Sequence, residues 1–211
     1  MRQKLIIFVK APRPGFVKTR LAEAIGPAAA SAAYEALLTT VLERVQALQN
    51  VELRFTPDDA VSEIASWLQP SWAAVPQGAG DLGARLSRAF DEAFAAGCMC
   101  VTAIGSDCPG ITELDIRQSW DLLAQNDAVL GPANDGGYWL IALKAPAHDV
   151  FTNIDWSTSR VLEQTIAILA RTGRSYHLLR PLRDVDIVED WKRFTLENPS
   201  STLKGNPEFY P

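Results

Sequence analysis

Histidine is scarce in this chain. His148 and His177 are the only two, and neither lies in a cluster. Catalytic triads that need an imidazole base and metal sites built on several imidazoles are thereby set aside. Cysteine is almost as rare. Cys98, Cys100 and Cys108 are too few for a disulfide framework, and no matching Cys/His pair gives them zinc spacing. Cys98 and Cys100 are expected to share one face of a strand, because side chains alternate with period two, and all three read as core residues. Long apolar runs are missing too: none approaches the roughly 20 residues needed to span a bilayer. The run Leu5 to Val9 falls below the about 7–15 residues of a signal-peptide core and reads as a buried strand. The expectation is a cytoplasmic protein with no membrane partner.

The net charge of −5 argues against a nucleic-acid surface. Acids are nevertheless absent from the start of the chain. Arg2, Lys4, Lys10, Arg13, Lys18 and Arg20 precede the first carboxylate. A basic cluster in an acidic protein suits a small polyanion, such as a nucleotide phosphate held in a cleft; a solvated face is the plainer alternative.

What is present in quantity is apolar surface: 47% of 211 residues, enough for one domain with a sizeable core. Short β-branched runs predict strands at Lys4–Lys10, Val51–Phe55, Trp72–Pro76, Met99–Ile104, Ala128–Leu130, Tyr138–Leu143 and Tyr176–Leu179. Helical periodicity is expected from Lys18 to Gly26, then over Pro27–Leu48, Ala60–Leu68, Asp81–Ala96, Thr112–Gln125, Ser157–Arg171 and Ile187–Glu197. Asp81–Ala96 places Leu82, Leu86, Ala89, Ala93 and Phe94 on one side. Strands alternating with helices predict a single three-layer α/β/α domain with a mainly parallel, mixed sheet over 1–198. Residues 199–211 read as a poorly ordered tail. Sheets of this kind take ligands beyond the C-terminal ends of their strands, where the polar clusters of this sequence fall.

Five such clusters stand out. Lys10 to Leu21 joins the first strand to the first helix and carries Lys10, Arg13, Lys18, Thr19 and Arg20. Helix-start amides and full positive charges favour anions. It is not a P-loop, since Val17 rather than glycine precedes Lys18-Thr19. Gln77 to Arg85 holds a literal G-x-G-x-x-G from Gly78 to Gly83. It follows the third strand rather than the first, which disfavours a Rossmann dehydrogenase, and Asp81 could simply cap the next helix. Gly105-Ser106-Asp107-Cys108-Pro109 ends the most apolar strand. A carboxylate there suits a hard cation bridging phosphate oxygens, although a local turn would also use it. Asp135-Gly136-Gly137-Tyr138 permits close approach of backbone to ligand, and equally a hairpin turn. Asp184 and Asp186 precede the last helix and point the same way if extended, so they could complete a metal site with Asp107. Glu189 and Asp190 suit the macrodipole of that helix.

Taken in order, these motifs resemble the GT-A-like nucleotide-diphospho-sugar transferases, most closely the branch called rSAM/selenodomain-associated transferase 1. The matching residues are Val9-Lys10-Ala-Pro with Gly15 and Lys18-Thr-Arg-Leu21, Gln77-Gly with Asp81-Leu-Gly-Ala-Arg85, and Gly105 to Pro109. Gly131-Pro with Asp135 to Tyr138, Ile154 with Trp156-Ser-Thr158, and Asp184-Val-Asp186 follow. The opening is also similar to phospholactate guanylyltransferase, and less so to the molybdenum-cofactor guanylyltransferases, whose Leu-x-Gly-Gly start is absent. Ile187-Val188 replaces the usual Thr-Pro after the second aspartate. The resemblance covers about Leu5 to Phe194.

It implies a nucleotide in the cleft and Mg2+ or Mn2+ at Asp107. The expected roles follow. Lys10, Arg13, Lys18, Thr19 and Arg20 hold phosphates, with Lys18 also offsetting charge during reaction. Gln77, Gly78, Asp81, Gly83 and Arg85 shape the base and ribose pocket. Asp107, with Asp184 or Asp186, holds the cation. Asp135, Gly136, Gly137 and Tyr138 face the acceptor, which Asp135 orients or deprotonates. The reaction expected is nucleotidyl transfer from a nucleoside triphosphate to a phosphorylated small molecule. Glycosyl transfer from a nucleotide sugar, and a nucleotide-binding module without turnover, are the alternatives.

Overall fold

The computed structural model describes residues 2–199. The expected tail, apart from its first residue, lies outside the described residues. Seven strands form one sheet: β1 (Gln3–Lys10), β2 (Val51–Thr56), β3 (Ala73–Pro76), β4 (Cys100–Ile104), β5 (Ala128–Pro132), β6 (Tyr138–Leu143) and β7 (Tyr176–Leu178). Seven helices flank it: α1 (Thr19–Ile25), α2 (Pro27–Val45), α3 (Val61–Ile64), α4 (Leu82–Ala95), α5 (Glu113–Leu122), α6 (Val161–Arg171) and α7 (Val188–Glu197). Short 3-10 turns follow α3 and span His148–Phe151.

The sheet order is β3-β2-β1-β4-β6-β5-β7. β6 runs antiparallel to both of its neighbours, and every other pairing is parallel. The sheet is therefore mixed and mainly parallel, as the alternation of patterns implies. The chain builds outward from β1 to β3, then returns to lay β4 on the other side of β1. That reversal opens a crevice between the C-terminal ends of β1 and β4, the place where such sheets bind ligands.

Period-two alternation on β1 divides the core into two layers. Leu5, Ile7 and Val9 pack with Tyr34, Leu38 and Val41 of α2 and with Ile116 and Trp120 of α5. Ile6 packs on the opposite face with Leu86, Ala89, Phe90 and Ala93 of α4. Those four recur at i, i+3, i+4 and i+7, one stripe of a 3.6-residue helix. Leu82, expected on that stripe, is instead part-exposed, and Phe90 rather than Phe94 is the fully buried ring.

The cysteines are buried and free, in keeping with a core role. Cys98 and Cys100 do not share a face, however. β4 begins only at Cys100, and Cys98 sits in the turn after α4, its N–H donating to Ala93 O at 3.1 Å. Cys98 consequently packs in the α4 layer and Cys100 in the α2 and α5 layer.

One buried carboxylate ties the last third of the chain to the crevice. Asp115, on the first turn of α5, accepts from Thr112 N (2.9 Å) and Thr112 Oγ1 (2.7 Å), closing a capping box. It also accepts two bonds from Arg180, at 2.8 and 2.7 Å, while Arg180 reaches Gly110 O at 3.0 Å. Burial pushes the Asp115 carboxyl up, but the bonds from Arg180 and Thr112 outweigh it and hold the group below its ordinary value. A depressed carboxyl adds stability above its unfolded pKa and loses it as pH falls through the folded one. Asp115→Asn should therefore cost about 2 kcal/mol at neutral pH, on the scale of hydrogen bonds to charged groups. Urea titrations from pH 7 down to 3 should show that this difference shrinks with acid. A difference constant with pH would mean that packing, not the charge, does the work.

Candidate active site

Beyond the strand ends lies a cavity of about 550 Å3, within the roughly 300–1,000 Å3 range of small-molecule sites. Its walls come from Val9 and Lys10 at the end of β1, Gln77, Gly80 to Leu82, Arg85 and Leu86 around the start of α4, and Ile104 to Cys108 after β4. The β5–β6 hairpin adds Asp135, Gly137 and Tyr138, the segment before α6 adds Trp156 to Thr158, and the approach to α7 adds Asp184 and Asp186. Lys10, Asp107, Asp135, Asp184 and Asp186, scattered across 177 residues of sequence, thus meet on one side of the sheet.

Backbone hydrogen bonds explain the convergence. Val185 N donates to Asp107 O at 2.9 Å, which lays Asp184 and Asp186 beside the β4 loop. Leu182 N donates to Pro132 O at 3.0 Å, and Asn134 N to Leu182 O at 3.2 Å, so the same segment also lines up with the hairpin. Asp190, on the first turn of α7, accepts from Asp186 N and Ile187 N, both at 3.3 Å. Its carboxylate fixes the approach loop as well as complementing the helix dipole.

The hairpin is at once a turn and a cavity wall. Asp135 Oδ1 accepts from Gly137 N at 2.8 Å, an Asx turn. Gly136 has φ +89°, and a Cβ there would run into the Ser159 backbone. Glycine is therefore required for the hairpin to approach the segment before α6, and Leu162 N, on the first turn of α6, donates to Gly136 O at 2.9 Å. Gly83 serves packing in the same way: a Cβ would strike the Phe151 carbonyl and the Trp156 indole. Gly136 and Gly83 shape the wall without lining the cavity.

The electrostatics differ from the expectation of a basic phosphate cleft. Asp81, Asp107, Asp135, Asp184 and Asp186 line the cavity, against Lys10 and Arg85 alone. The early basic residues scatter. Lys4 pairs with Glu52 at 2.6 Å, and Arg2 donates to Ala96 O at 2.7 Å. Arg13 turns to Glu63 (2.6 Å) and Asp59 (3.3 Å) and does not line the cavity. Thr19 does not line it either. Arg20 is exposed, with one guanidinium nitrogen 3.6 Å from Asp186.

Lys18 does not line the cavity either, but it reaches two carboxylates that do. Its side chain is only 4% exposed, and its ammonium bridges Asp107 and Asp186, the latter at 3.2 Å. Burial works against the charged amine, yet Asp107 and Asp186 outweigh it and keep its pKa above the ordinary lysine value. Asp184 has no such partner. Burial, then the nearby charges of Asp135 and Asp186, push its carboxyl up. The Cys108 thiol is pushed up for the same reasons, burial first and then Asp184, Asp107 and Asp135. Among the described residues no three carboxylate, thiol or imidazole groups enclose a metal position as they stand. Lys18 spans the two that come closest to the expected ligand set.

The Gln77–Arg85 segment is more structural than expected. Gln77 is buried, and its amide donates to Val9 O (3.0 Å) and Arg54 O (2.9 Å), tying the end of β3 to β1 and β2. Arg85 donates to Gly80 O and Gln77 Oε1. Asp81 Oδ1 accepts from Ala84 N at 2.8 Å, so it caps α4. Gly78, with φ +75°, donates its N–H to Asp58 and does not line the cavity.

Two contributors escaped the sequence reading. Trp156, with Ser157 and Thr158, lines the cavity and stacks edge-on against Tyr138 at 6.4 Å; the family motif contains these residues, and that was the available signal. Tyr34 gave none, since a tyrosine within a helical stripe reads as core. Its hydroxyl accepts from Lys10 N at 2.7 Å and lies near Ser106, clamping the β1 end to α2 beside the β4 loop. His148, by contrast, hydrogen-bonds Ser87 (2.8 Å) and approaches Asp91 (3.3 Å), but none of the three lines the cavity.

A family model described as "Uncharacterized protein conserved in bacteria (DUF2064)" matches residues 39–158, more than half of the chain. The chain belongs to this family. A crystal structure from Desulfovibrio desulfuricans, of a candidate nucleotide-diphospho-sugar transferase, is 31% identical over 98% of this chain and 92% of its own, with TM-score 0.86. A cytidylyltransferase from Leptospira borgpetersenii is 15% identical over 98% of each chain, with TM-score 0.56. Rv0371c of Mycobacterium tuberculosis, in complex with manganese, is 14% identical over 94% of this chain and all of its own, with TM-score 0.53. The last two share the fold alone. No functionally curated protein matches by sequence.

Tyr34→Phe keeps the buried ring and removes the clamp. It should lower stability by about 1–2 kcal/mol, the cost of leaving the Lys10 N–H unpaired. Hydrogen exchange should quicken at Lys10 more than at Ile6, in the middle of the same strand. Equal protection at Lys10 in both proteins would show that the hydroxyl holds nothing.

Proposed function

We propose that this protein is a metal-dependent transferase that moves a nucleotidyl group from a nucleoside triphosphate to a phosphorylated small molecule. The observation that carries the reading is the excess of aspartate in a cavity at the sheet's reversal point. Carboxylates crowded together repel one another and would repel a polyphosphate, unless a cation joins the two. The donor set suits a hard ion: Mg2+ is ordinarily held by one or two carboxylates together with substrate phosphates and water. Asp107 with Asp186 or Asp184 would hold Mg2+ or Mn2+. A bound ion of this kind supplies charge neutralisation at the phosphate oxygens.

The chain's own groups divide the remaining work. Lys10, at the end of β1, offers a charged donor to the phosphates, with Lys18 and Arg20 beside the Asp107–Asp186 pair. Phe8, Leu82, Leu86 and Trp156 give the cavity an apolar side that suits a base or sugar face. Asp135, held by its Asx turn on the hairpin, faces the acceptor side and orients the incoming group. An acceptor phosphate oxygen then bonds to the α-phosphorus, the bond to the bridging oxygen breaks, and pyrophosphate leaves with that electron pair. The cations near the carboxylates support a triphosphate over a nucleotide sugar, because it carries more charge. The kinship with a candidate nucleotide-diphospho-sugar transferase, and the fold shared with a cytidylyltransferase and a manganese complex, support the same class.

The test is a panel of nucleoside triphosphates and nucleotide sugars read by thermal stabilisation, with and without Mg2+ or Mn2+. At least one triphosphate should raise Tm only when the ion is present. Asp107→Asn should remove that metal-dependent shift, together with nucleotidyl transfer to an acceptor and the pyrophosphate it releases; its ligand-free Tm should fall somewhat, because the buried Lys18 ammonium keeps only Asp186 as a close carboxylate. Full-strength metal-dependent binding in the Asn variant would return Asp107 to the role of a turn residue.

A further inference from the structure

The two carboxylates assigned to the cation are already occupied by a side chain of the protein. Lys18 Nζ bonds Asp107 and lies 3.2 Å from Asp186 Oδ1, almost wholly shielded from water. The backbone around the three groups is anchored. Lys18 O accepts from Ala22 N at 2.8 Å, Asp107 O accepts from Val185 N at 2.9 Å, and Asp186 N donates to Asp190. The backbone that carries the carboxylates is therefore held in place, while lysine's flexible four-carbon stem lets its ammonium leave without moving the chain. An ammonium and a divalent ion cannot both sit against the same oxygens, since like charges at that range repel strongly.

We propose that Lys18 is an interlock, closing the Asp107–Asp186 pair until cation and phosphate arrive together and release it. The inference rests on the nucleotide reading above and goes beyond it by setting the order of loading. A cation alone must displace the ammonium, so it binds weakly. A phosphate offers Lys18 another anion, and the freed carboxylates then take the cation. By linkage each partner strengthens the other equally. Arg20 touches only Asp186, at 3.6 Å, with 70% of its side chain exposed, so it contributes charge without blocking the pair.

Binding of Mn2+ alone, measured by calorimetry, tests the idea on the full chain. Lys18→Met should bind Mn2+ about tenfold more tightly than the wild type, or better, a change equal to about 1.4 kcal/mol. Arg20→Met should change the affinity by less than about twofold, as befits an exposed pair. No gain in the Lys18 variant, or an equal gain in the Arg20 variant, overturns the interlock. Should Lys18→Met fail to fold, the wild type decides: amine-directed labelling of Lys18, read by peptide mass spectrometry, should rise when Mn2+ is added. Labelling that stays unchanged at saturating Mn2+ overturns the proposal as well. The two readings fail separately. A wild type stabilised by a triphosphate with Mn2+, whose Lys18→Met variant gains nothing, removes the interlock alone. A wild type that no nucleotide stabilises removes the nucleotide reading, whatever Mn2+ does.

Discussion

Carboxylates repel at close range, and five of them line one cavity in this protein. The fold around them is organised by how that repulsion is managed. Asp81 is absorbed by the start of α4 and Asp135 by its own turn. Asp107 and Asp186 share the ammonium of Lys18. Asp184 is left among like charges, and burial, with Asp135 and Asp186 added to it, pushes its carboxyl up. Such a site is poorly suited to a bare anion and well suited to an anion that brings a cation with it. The acidic lining therefore bears on chemistry more directly than the basic stretch at the start of the chain.

That stretch shows where reading a sequence fails. Six basic residues before the first acid look like one surface, but a strand separates them. Lys4 and Lys10 lie six residues apart on β1, roughly 20 Å at about 3.3 Å per residue. Lys4 ends up against Glu52 at the far pole, and only Lys10 reaches the cavity. Arg13 lies three residues beyond Lys10, yet nearby glutamate and aspartate claim it. Charge density along a chain does not fix charge density in space. A strand spreads its residues, and long cationic side chains turn to whichever carboxylate is near.

Element types were legible because periodicity is written locally. The α4 stripe and the alternation on β1 each follow from spacing alone. The convergence of Asp107, Asp135, Asp184 and Asp186 was legible at one remove, since each ends a strand or precedes a helix on the same side of an α/β sheet. What was not legible depended on partners far away in sequence. The reversed direction of β6 turns on whether Asp135-Gly136 makes a hairpin, which the dipeptide alone leaves open. The face taken by Cys98 turned on a strand that starts at Cys100, one residue later than the apolar run from Met99 suggests, with Cys98 left in the turn before it. The hydroxyl of Tyr34 had no sequence signal at all, because its partner is a backbone amide on another element.

The segment from Arg180 to Asp190 shows how distant parts become one site. Arg180 grips Asp115 and Gly110, Leu182 bonds Pro132, Val185 bonds Asp107, and Asp190 holds the amide of Asp186. Four successive attachments leave the segment little freedom of its own. Asp184 and Asp186 thus take their positions from the β4 loop, the hairpin and the first turn of α7 together. A cation placed between Asp107 and Asp186 would meet carboxylates carried on backbone already fixed by that lacing, with the Lys18 side chain obliged to move. Preorganised anionic groups and one mobile counter-charge are what a site needs if it is to stay shut to a lone ion and open to an ion that arrives with phosphate.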